Sequence, residues 1–70
     1  MTSPDLNVLI NQAPHPLPAG SSLLDAIERV GIQPPFAAAV NLEFVPRGQY
    51  AHRLLHDGDQ IELIAPITGG

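Results

Sequence analysis

Residues 20–31 read GSSLLDAIERVG, and this stretch predicts the one convincing helix of the chain. Ser22 and Asp25 stand three residues apart, which is typical of a capping box at a helix N-terminus. Gly31 lies where a left-handed C-terminal cap is needed, and Pro34-Pro35 prevent the helix from continuing. The apolar residues at helical spacing, which we expect to be buried, are Leu23, Ala26, Ile27 and Val30. A helix of roughly nine residues is too short to persist alone in water, so it must pack on a sheet.

Strand patterns lie on both sides of this helix. Residues 5–10 alternate apolar and polar side chains, which predicts a half-buried strand. Residues 13–19 carry prolines at 14, 16 and 18, so they can form only an edge strand or an extended segment. After the helix, apolar runs predict strands over residues 36–40, over Phe44-Val45, where Pro46 stops the strand, and over residues 60–65.

Turn signals separate these strands. Residues 11–12, 41–43 and 57–59 are rich in Asn, Asp and Gly, which predicts turns. Residues 47–55 combine a helical spacing of apolar side chains with Gly48, so the sequence leaves this segment open between a helical turn and an irregular loop.

The order of these elements predicts the fold class. Strand, strand, helix, strand, strand, irregular segment and strand favour an α+β fold of the β-grasp type. In this fold a mixed sheet, here of four to five strands, carries one main helix across one face. We expect residues 5–65 to form this domain, with residues 1–4 as a disordered arm and residues 66–70 as a flexible C-terminal tail.

The composition fits one small domain and excludes several functions. The chain has 70 residues, of which 44% are hydrophobic, and a net charge of −4. A domain of this size cannot combine a deep active site with a stable interior. Three arginines and no lysine argue against nucleic acid as a partner, because such binding needs many cations. The absence of cysteine removes disulfides, iron–sulfur clusters, zinc–thiolate sites and thiol nucleophiles.

The chain also lacks the sequence features of a membrane or secreted protein. No apolar run approaches the ~20 residues that a membrane span needs, and the opening MTSPDLN is not a hydrophobic signal segment. We therefore expect a cytoplasmic protein with no membrane partner.

Few side chains suggest chemistry of their own. His52 and His56 stand four residues apart, but a zinc site needs three or four ligands, so we expect exposed histidines and no metal site. Asp57 and Asp59 lack the further ligands of a calcium loop, and a turn explains them better. A helix cap is a sufficient role for Ser22. We therefore expect no catalytic residue in this chain.

The C-terminus is the exception. Gly69 and Gly70 follow closely on the last predicted strand, and the five residues 66–70 span roughly 17 Å when extended. Because glycine has no Cβ, such an end can enter a slot that is too narrow for any other residue. Its α-carboxylate is ionised at neutral pH and can attack an activated phosphate. The mixed anhydride that forms is a good electrophile.

A wider set of residues resembles a known family. The stretch VNLEFVPR at residues 40–47 is followed by Tyr50-Ala51, Leu55, Asp57-Gly58-Asp59, Ile61-Glu62 and the terminal Gly69-Gly70. This pattern resembles the ThiS family of sulfur carrier proteins of thiamin biosynthesis, and the resemblance covers the chain from about Leu6 to Gly70.

The resemblance implies a ubiquitin-like cosubstrate that is not an enzyme and binds no cofactor itself. An E1-like (ThiF-type) enzyme would use ATP and Mg²⁺ to adenylate the carboxylate of Gly70. A sulfur donor, such as a cysteine desulfurase system, would convert the acyl adenylate to a thiocarboxylate. The thiocarboxylate would then give its sulfur to thiazole synthase (ThiG-type). The tail residues that must enter a partner enzyme are Pro66, Ile67, Thr68 and Gly69.

Exposed residues of the domain would dock these partners. We expect Leu42 and Phe44 to supply apolar contact, with Arg47 beside them. Arg47 fits two roles equally well, since it can grip a carboxylate of a partner or only solvate the surface.

Other functions stay open at this stage. The proline in the tail, Pro66, looks more like the small subunit of molybdopterin synthase, which uses the same thiocarboxylate chemistry. A non-covalent β-grasp interaction module would contact its partner through Leu42 and Phe44 and make no use of Gly69-Gly70. A protein-tagging modifier would instead join its activated glycine to lysines of other proteins. The proline-rich second strand also leaves the position of that sheet edge open.

Overall fold

The computed structural model describes residues 5–65. The elements in chain order are strands β1 (Asp5–Ile10) and β2 (Ala13–Pro18), helix α1 (Leu23–Val30), strands β3 (Ala37–Val40) and β4 (Glu43–Val45), a 3₁₀ helix (Arg47–Gln49), and strand β5 (Gln60–Ile64). The element order expected from the sequence is confirmed, with strand ends within one residue of the predicted ends. The expected arm (residues 1–4) and tail (residues 66–70) lie outside the described residues. Neither helix in the described range has the length and apolar character needed to cross a membrane.

The five strands form one mixed sheet in the order β2-β1-β5-β3-β4. The first and last strands, β1 and β5, run parallel at the centre of the sheet. The other neighbouring pairs are antiparallel. This sheet, with α1 packed on one face, is the β-grasp architecture that the element order predicts, and it has the larger of the two expected strand numbers.

The core lies between one face of the sheet and one side of α1. Alternate residues of the strands point into it, as the period of two requires. The buried apolar residues are Val8, Ile10, Leu17, Leu23, Ala26, Ile27, Ala38, Val40, Val45, Tyr50, Leu55, Ile61 and Leu63. Full burial of one such aliphatic side chain contributes about 1.5–3 kcal/mol. This packing stabilises a helix that is too short to form alone.

The predicted caps of α1 are confirmed. The Oγ of Ser22 accepts the N–H of Asp25 at 3.3 Å, and the Asp25 carboxylate accepts the N–H of Ser22 at 2.9 Å. Gly31 ends the helix with a left-handed φ of 80°, and its N–H donates to the carbonyl of Ile27. Both ends of α1 are therefore fixed by local side-chain and backbone chemistry.

The predicted burial of Val30 is wrong. Val30 is 40% exposed, and its neighbours Glu28 and Arg29 are exposed as well. The last turn of α1 therefore extends past the core, because the helix ends there and Gly31 turns the chain away. The other three residues of the predicted face, Leu23, Ala26 and Ile27, are buried.

The segment that the sequence left open begins as the 3₁₀ helix and continues as an irregular loop. Tyr50 and Leu55 are buried in the core, whereas Leu54 is 54% exposed, so the apolar spacing does not mark one helical face. Two carbonyl groups of this loop accept the first two N–H groups of α1, at 2.8 and 3.0 Å. The loop thus completes the hydrogen bonding of the helix N-terminus.

β2 is an edge strand, as its prolines predict. The N–H of Leu9 donates to the carbonyl of Asp59 just before β5, and the N–H of Asn11 donates to Ile61 in β5. The backbone N–H and carbonyl groups of the alternate residues Leu6, Val8 and Ile10 therefore point toward β2. Their β2 partners are Ala13, His15 and Leu17. The backbone nitrogens of the prolines at positions 14, 16 and 18 therefore point away from β1, toward the open edge of the sheet. A missing N–H at these positions removes no ladder hydrogen bond.

Ile27→Ala should lower the free energy of unfolding by about 2–5 kcal/mol, because it leaves a cavity where α1 meets the sheet. Val30→Ala is the matched control on the same helix, and it should change that free energy by no more than about 0.5 kcal/mol. Urea denaturation followed by circular dichroism measures both. Equal losses in the two variants would contradict the buried face described above.

Candidate functional site

The residues that the sequence predicts to react lie at the end of the chain. Gly70 and the four tail residues before it fall outside the described residues. The described part of the site is β5 with Ala65, from which those residues continue, together with the surface around this strand. The hydrogen bonds of β5 decide where the chain leaves the sheet.

β5 has a strand partner along its whole length on one side only. It pairs with β3 from Val40↔Ile61 to Ala37↔Ile64. On the other side it pairs with β1 only up to Ile10↔Ile61. The part of β5 nearest the C-terminus would therefore lack partners on the β1 side.

The side chain of Asn11 supplies those partners. Its Oδ1 accepts the N–H of Leu63 at 2.9 Å, and its Nδ2 donates to the carbonyl of Leu63 at 3.1 Å. The main-chain N–H of Asn11 donates to the carbonyl of Ile61 at 2.8 Å. In a regular parallel ladder the main-chain carbonyl of this residue would accept the Leu63 N–H. The side-chain amide therefore continues the ladder beyond the end of β1.

Asn41 acts in the same way on the β3 side. Its main-chain N–H donates to the carbonyl of Gln60 at 2.7 Å, and its Oδ1 accepts the N–H of Gln60 at 3.0 Å. Its Nδ2 donates to the carboxylate of Asp59 at 3.0 Å. Both asparagines begin a two-residue hairpin turn at a φ of 51°, and Gln12 and Leu42 follow at 70° and 71°. Asparagine tolerates this left-handed region better than most residues with a Cβ.

The predicted turn before β5 is confirmed, and its carboxylates bind the backbone. Asp57 accepts the N–H of Asn7 at 2.8 Å. Asp59 is buried and accepts the N–H of His56 at 2.8 Å. Gly58 supplies the left-handed φ of 87° that the turn needs. The two carboxylates therefore fix the start of β5 relative to β1 and to the loop before it.

The sheet face opposite α1 exposes apolar side chains near the end of β5. Phe44 is 69% exposed and Ile64 is 59% exposed. Phe44 pairs with Ala39 and Ile64 pairs with Ala37, and these two alanines lie on the same face of β3. We call these four residues the open-face patch. Glu62, which also pairs with Ala39, places a negative charge at its border.

The other two predicted docking residues, Leu42 and Arg47, are not members of this patch. Leu42 is 88% exposed at the tip of the turn between β3 and β4. Arg47 is exposed and lines a hollow beside the stacked rings of Phe36 and Tyr50, whose centroids are 5.8 Å apart. Phe44 lines a different hollow. The two predicted roles of Arg47 stay open.

The two serines before α1 have structural hydrogen-bond partners. Ser22 caps α1, and the Oγ of Ser21 donates to the carbonyl of Pro18 at 2.6 Å. His52 and His56 are exposed. Within residues 5–65, no cluster of three or more His, Asp and Glu side chains could hold a metal ion. These hydrogen bonds account for Ser21 and Ser22 as structural residues.

This geometry defines a small protein of the β-grasp class in which a doubly held central strand leads straight to the C-terminal residues. The family model described as the ThiS family matches residues 6–70. The chain therefore belongs to the ThiS family, and the resemblance drawn from its sequence is confirmed.

Two individual proteins illustrate the relationship. The sulfur carrier protein ThiS of Escherichia coli (strain K12) is 35% identical over 66 residues, which cover 93% of this chain and all of that protein. The crystal structure of the thiamine biosynthesis protein (ThiS) from Geobacter metallireducens superposes with a TM-score of 0.77 at 17% identity. The match covers 93% of the present chain and 100% of the Geobacter metallireducens chain. At 17% identity this likeness supports the fold alone.

Two features of the site were missed at the level of sequence. Ile64 belongs to the open-face patch, and the run Ile61-Glu62-Leu63-Ile64 carried a signal for it, since burial of the first and third residues places the fourth outside. Asn11 and Asn41 were read only as turn residues. Their positions before residues other than glycine hinted at a further role, because glycine usually follows asparagine in such turns.

Proposed function

We propose that this protein is the sulfur carrier of thiamin biosynthesis and that Gly70 is the residue that carries the sulfur. A ThiF-type enzyme adenylates the Gly70 carboxylate with ATP and Mg²⁺, and pyrophosphate leaves. A persulfide on the sulfur donor, such as a cysteine desulfurase system, then displaces AMP to form an acyl disulfide. A thiol of a partner protein attacks the donor's sulfur in this bond, which releases the thiocarboxylate and leaves a disulfide on the partner side. Thiazole synthase takes up this sulfur. Because the reaction consumes ATP, we place it in the cytoplasm.

One observation supports this proposal over the alternative functions. The chain aligns with a protein named as a sulfur carrier over the full length of that protein, and it ends in Gly69-Gly70. Membership of the ThiS family favours the thiamin pathway over the molybdopterin alternative, which rested on Pro66 alone. It also argues against a non-covalent module, for which the terminal glycines would be incidental.

The chemistry of the chain makes partner enzymes necessary. The sequence contains no cysteine that could hold sulfur and no lysine that could stabilise a phosphate. Adenylation develops negative charge on the transferred phosphoryl group, and stabilising that charge needs cations in a site that excludes water. Three arginines in a chain with a net charge of −4 are few for this task, so we assign the binding of ATP and Mg²⁺ to the partner.

The open-face patch is the surface that we propose for docking. Phe44 and Ile64 expose apolar side chains on the face away from α1, and Ile64 is the last residue of β5. A partner that covers this patch contacts the end of β5, where the described chain approaches its C-terminal residues. Leu42 at the neighbouring turn extends the contact. Glu62 at the border favours a partner with a basic residue opposite it.

Deleting Gly70, or adding one residue after it, should abolish sulfur loading while the fold stays native. Either change moves the carboxylate by about 3.3–3.6 Å, one residue of extended chain, from where it must meet ATP. The measurement is the intact mass after incubation with a ThiF-type enzyme, ATP and a sulfur donor. The unaltered chain should gain the mass difference between sulfur and oxygen.

Circular dichroism of both variants is the control for folding. Normal loading of either variant would overturn the assigned role of Gly70. Covalent attachment of the unaltered chain to larger proteins would favour a protein-tagging modifier. Incubating the loaded chain with thiazole synthase tests the pathway, because sulfur should leave the chain only if that enzyme is the acceptor.

Phe44→Ala and Ile64→Ala should each raise the KM for the carrier in adenylation by about tenfold, which equals the loss of one good apolar contact at an interface. Neither should change the urea midpoint strongly, because both side chains are exposed. Val30→Ala removes an exposed apolar side chain from the opposite side of the molecule, so it is the matched control with an unchanged KM. If Phe44→Ala and Ile64→Ala have the same KM as Val30→Ala and the unaltered chain, the docking surface lies elsewhere.

A further inference from the structure

We propose that Asn11 is a positioning residue for adenylation. Its side-chain amide extends the β1 side of the sheet to Leu63 and so fixes the direction in which the chain leaves β5. The proposal rests on the function proposed above, and it assigns to a hairpin turn a part in presenting the carboxyl end. Asn11 touches no reacting atom and acts through β5.

The two amide hydrogen bonds of Asn11 meet β5 where strand pairing has ended. β1 makes its last pair with β5 at Ile61, and the Leu63 N–H and carbonyl point toward the β1 side. The Leu63 side chain is buried in the core, with 4% exposure. Asn11 therefore holds the last buried residue of β5 on the side where no strand reaches it.

This contact lies close to the end of β5, so it affects the direction in which the chain leaves the strand. Leu63 is two residues before Ala65, where the described structure stops, and seven before Gly70. If β5 could pivot at Leu63, its exit direction would become an ensemble, and only a fraction of molecules would dock productively. The apparent affinity for a partner falls in proportion to that fraction.

The residue type at position 11 fits this role better than a turn role alone. At a φ of 51°, glycine would form the turn without strain. Asparagine adds an acceptor for the Leu63 N–H and a donor for the Leu63 carbonyl, which aspartate could not provide together. Two hydrogen bonds to β5 thus offset the strain of a residue with a Cβ in the left-handed region.

Asn11→Gly isolates the amide from the turn, because glycine keeps the left-handed backbone and removes only the side chain. The assay is ATP–pyrophosphate exchange catalysed by the ThiF-type enzyme, with the full-length chain as varied substrate. We expect the KM for the chain to rise about tenfold, the equivalent of re-ordering one backbone residue on docking. The kcat should stay unchanged, because docked molecules react normally.

Two controls separate positioning from stability. Gln12→Gly changes the same turn at a φ of 70° but keeps the amide, so its KM should equal that of the unaltered chain. Ser22→Ala removes the helix cap and destabilises the fold without touching β5, so it reports what lost stability alone does to the KM. Urea denaturation gives the free energy of unfolding of each variant, so that KM values can be compared between variants of equal stability.

Each outcome decides one question. A raised KM for Asn11→Gly alone supports the positioning role. A KM for Asn11→Gly equal to that of Ser22→Ala at matched stability, or a fall in kcat in place of a rise in KM, overturns it. If the unaltered chain supports no exchange at all, the proposed function fails. Amide hydrogen exchange at Ile64 still tests the structural claim in that case, since protection equal to the unaltered chain in Asn11→Gly would exclude a pivot.

Discussion

Hydrogen bonds to β5 from both sides are the constraint on which the rest of the structure depends. β5 is the last strand in the chain but lies at the centre of the sheet, parallel to β1 and antiparallel to β3. Each hairpin turn contributes an asparagine side chain that hydrogen-bonds to it, Asn11 to Leu63 and Asn41 to Gln60. In the turn before β5, Asp59 accepts the Nδ2 of Asn41 and so holds that asparagine in place. A strand held in this way can pass directly into the C-terminal residues without a linker, and the short tail inherits a defined starting point.

The two faces of the sheet divide the tasks of the molecule. One face packs against α1 and holds nearly all the buried apolar side chains. The opposite face carries Phe44 and Ile64, with the small Ala37 and Ala39 between them. Because Phe44 and Ile64 are largely exposed, their side chains add little to the free energy of unfolding. A chain of 70 residues has too little interior for a pocket with its own chemistry. It can, however, offer a surface and a carboxylate, which is what a protein cosubstrate requires.

Local chemistry explains what the sequence predicted well. The capping box at Ser22, the glycine at position 31 and the alternating prolines of β2 act through nearest neighbours, so their outcomes could be read from the chain. The errors and omissions depend on contacts between distant segments. Whether Val30 is covered depends on how far the sheet extends beneath α1. Likewise, Asn11 binds a residue 52 positions away, and turn statistics contain no information about that partner. The reactivity expected of Gly70 rests on the residue type and on the family resemblance, and Gly70 lies outside the described range.

The prolines of β2 have a consequence for the behaviour of many copies at once. Exposed strand edges are templates on which sheets grow from one molecule to the next, and a template needs outward-pointing N–H donors. Along β2 every outward position is a proline, so this edge offers none. On the opposite edge, the N–H groups of an antiparallel strand point alternately toward and away from its neighbour. The two-residue turn makes Glu43 a hydrogen-bonded partner of Val40, so the N–H of Phe44 is the outward donor of β4 before Pro46. Few outward N–H donors therefore remain along the two edges of the described sheet, which disfavours the edge-to-edge pairing that leads to amyloid.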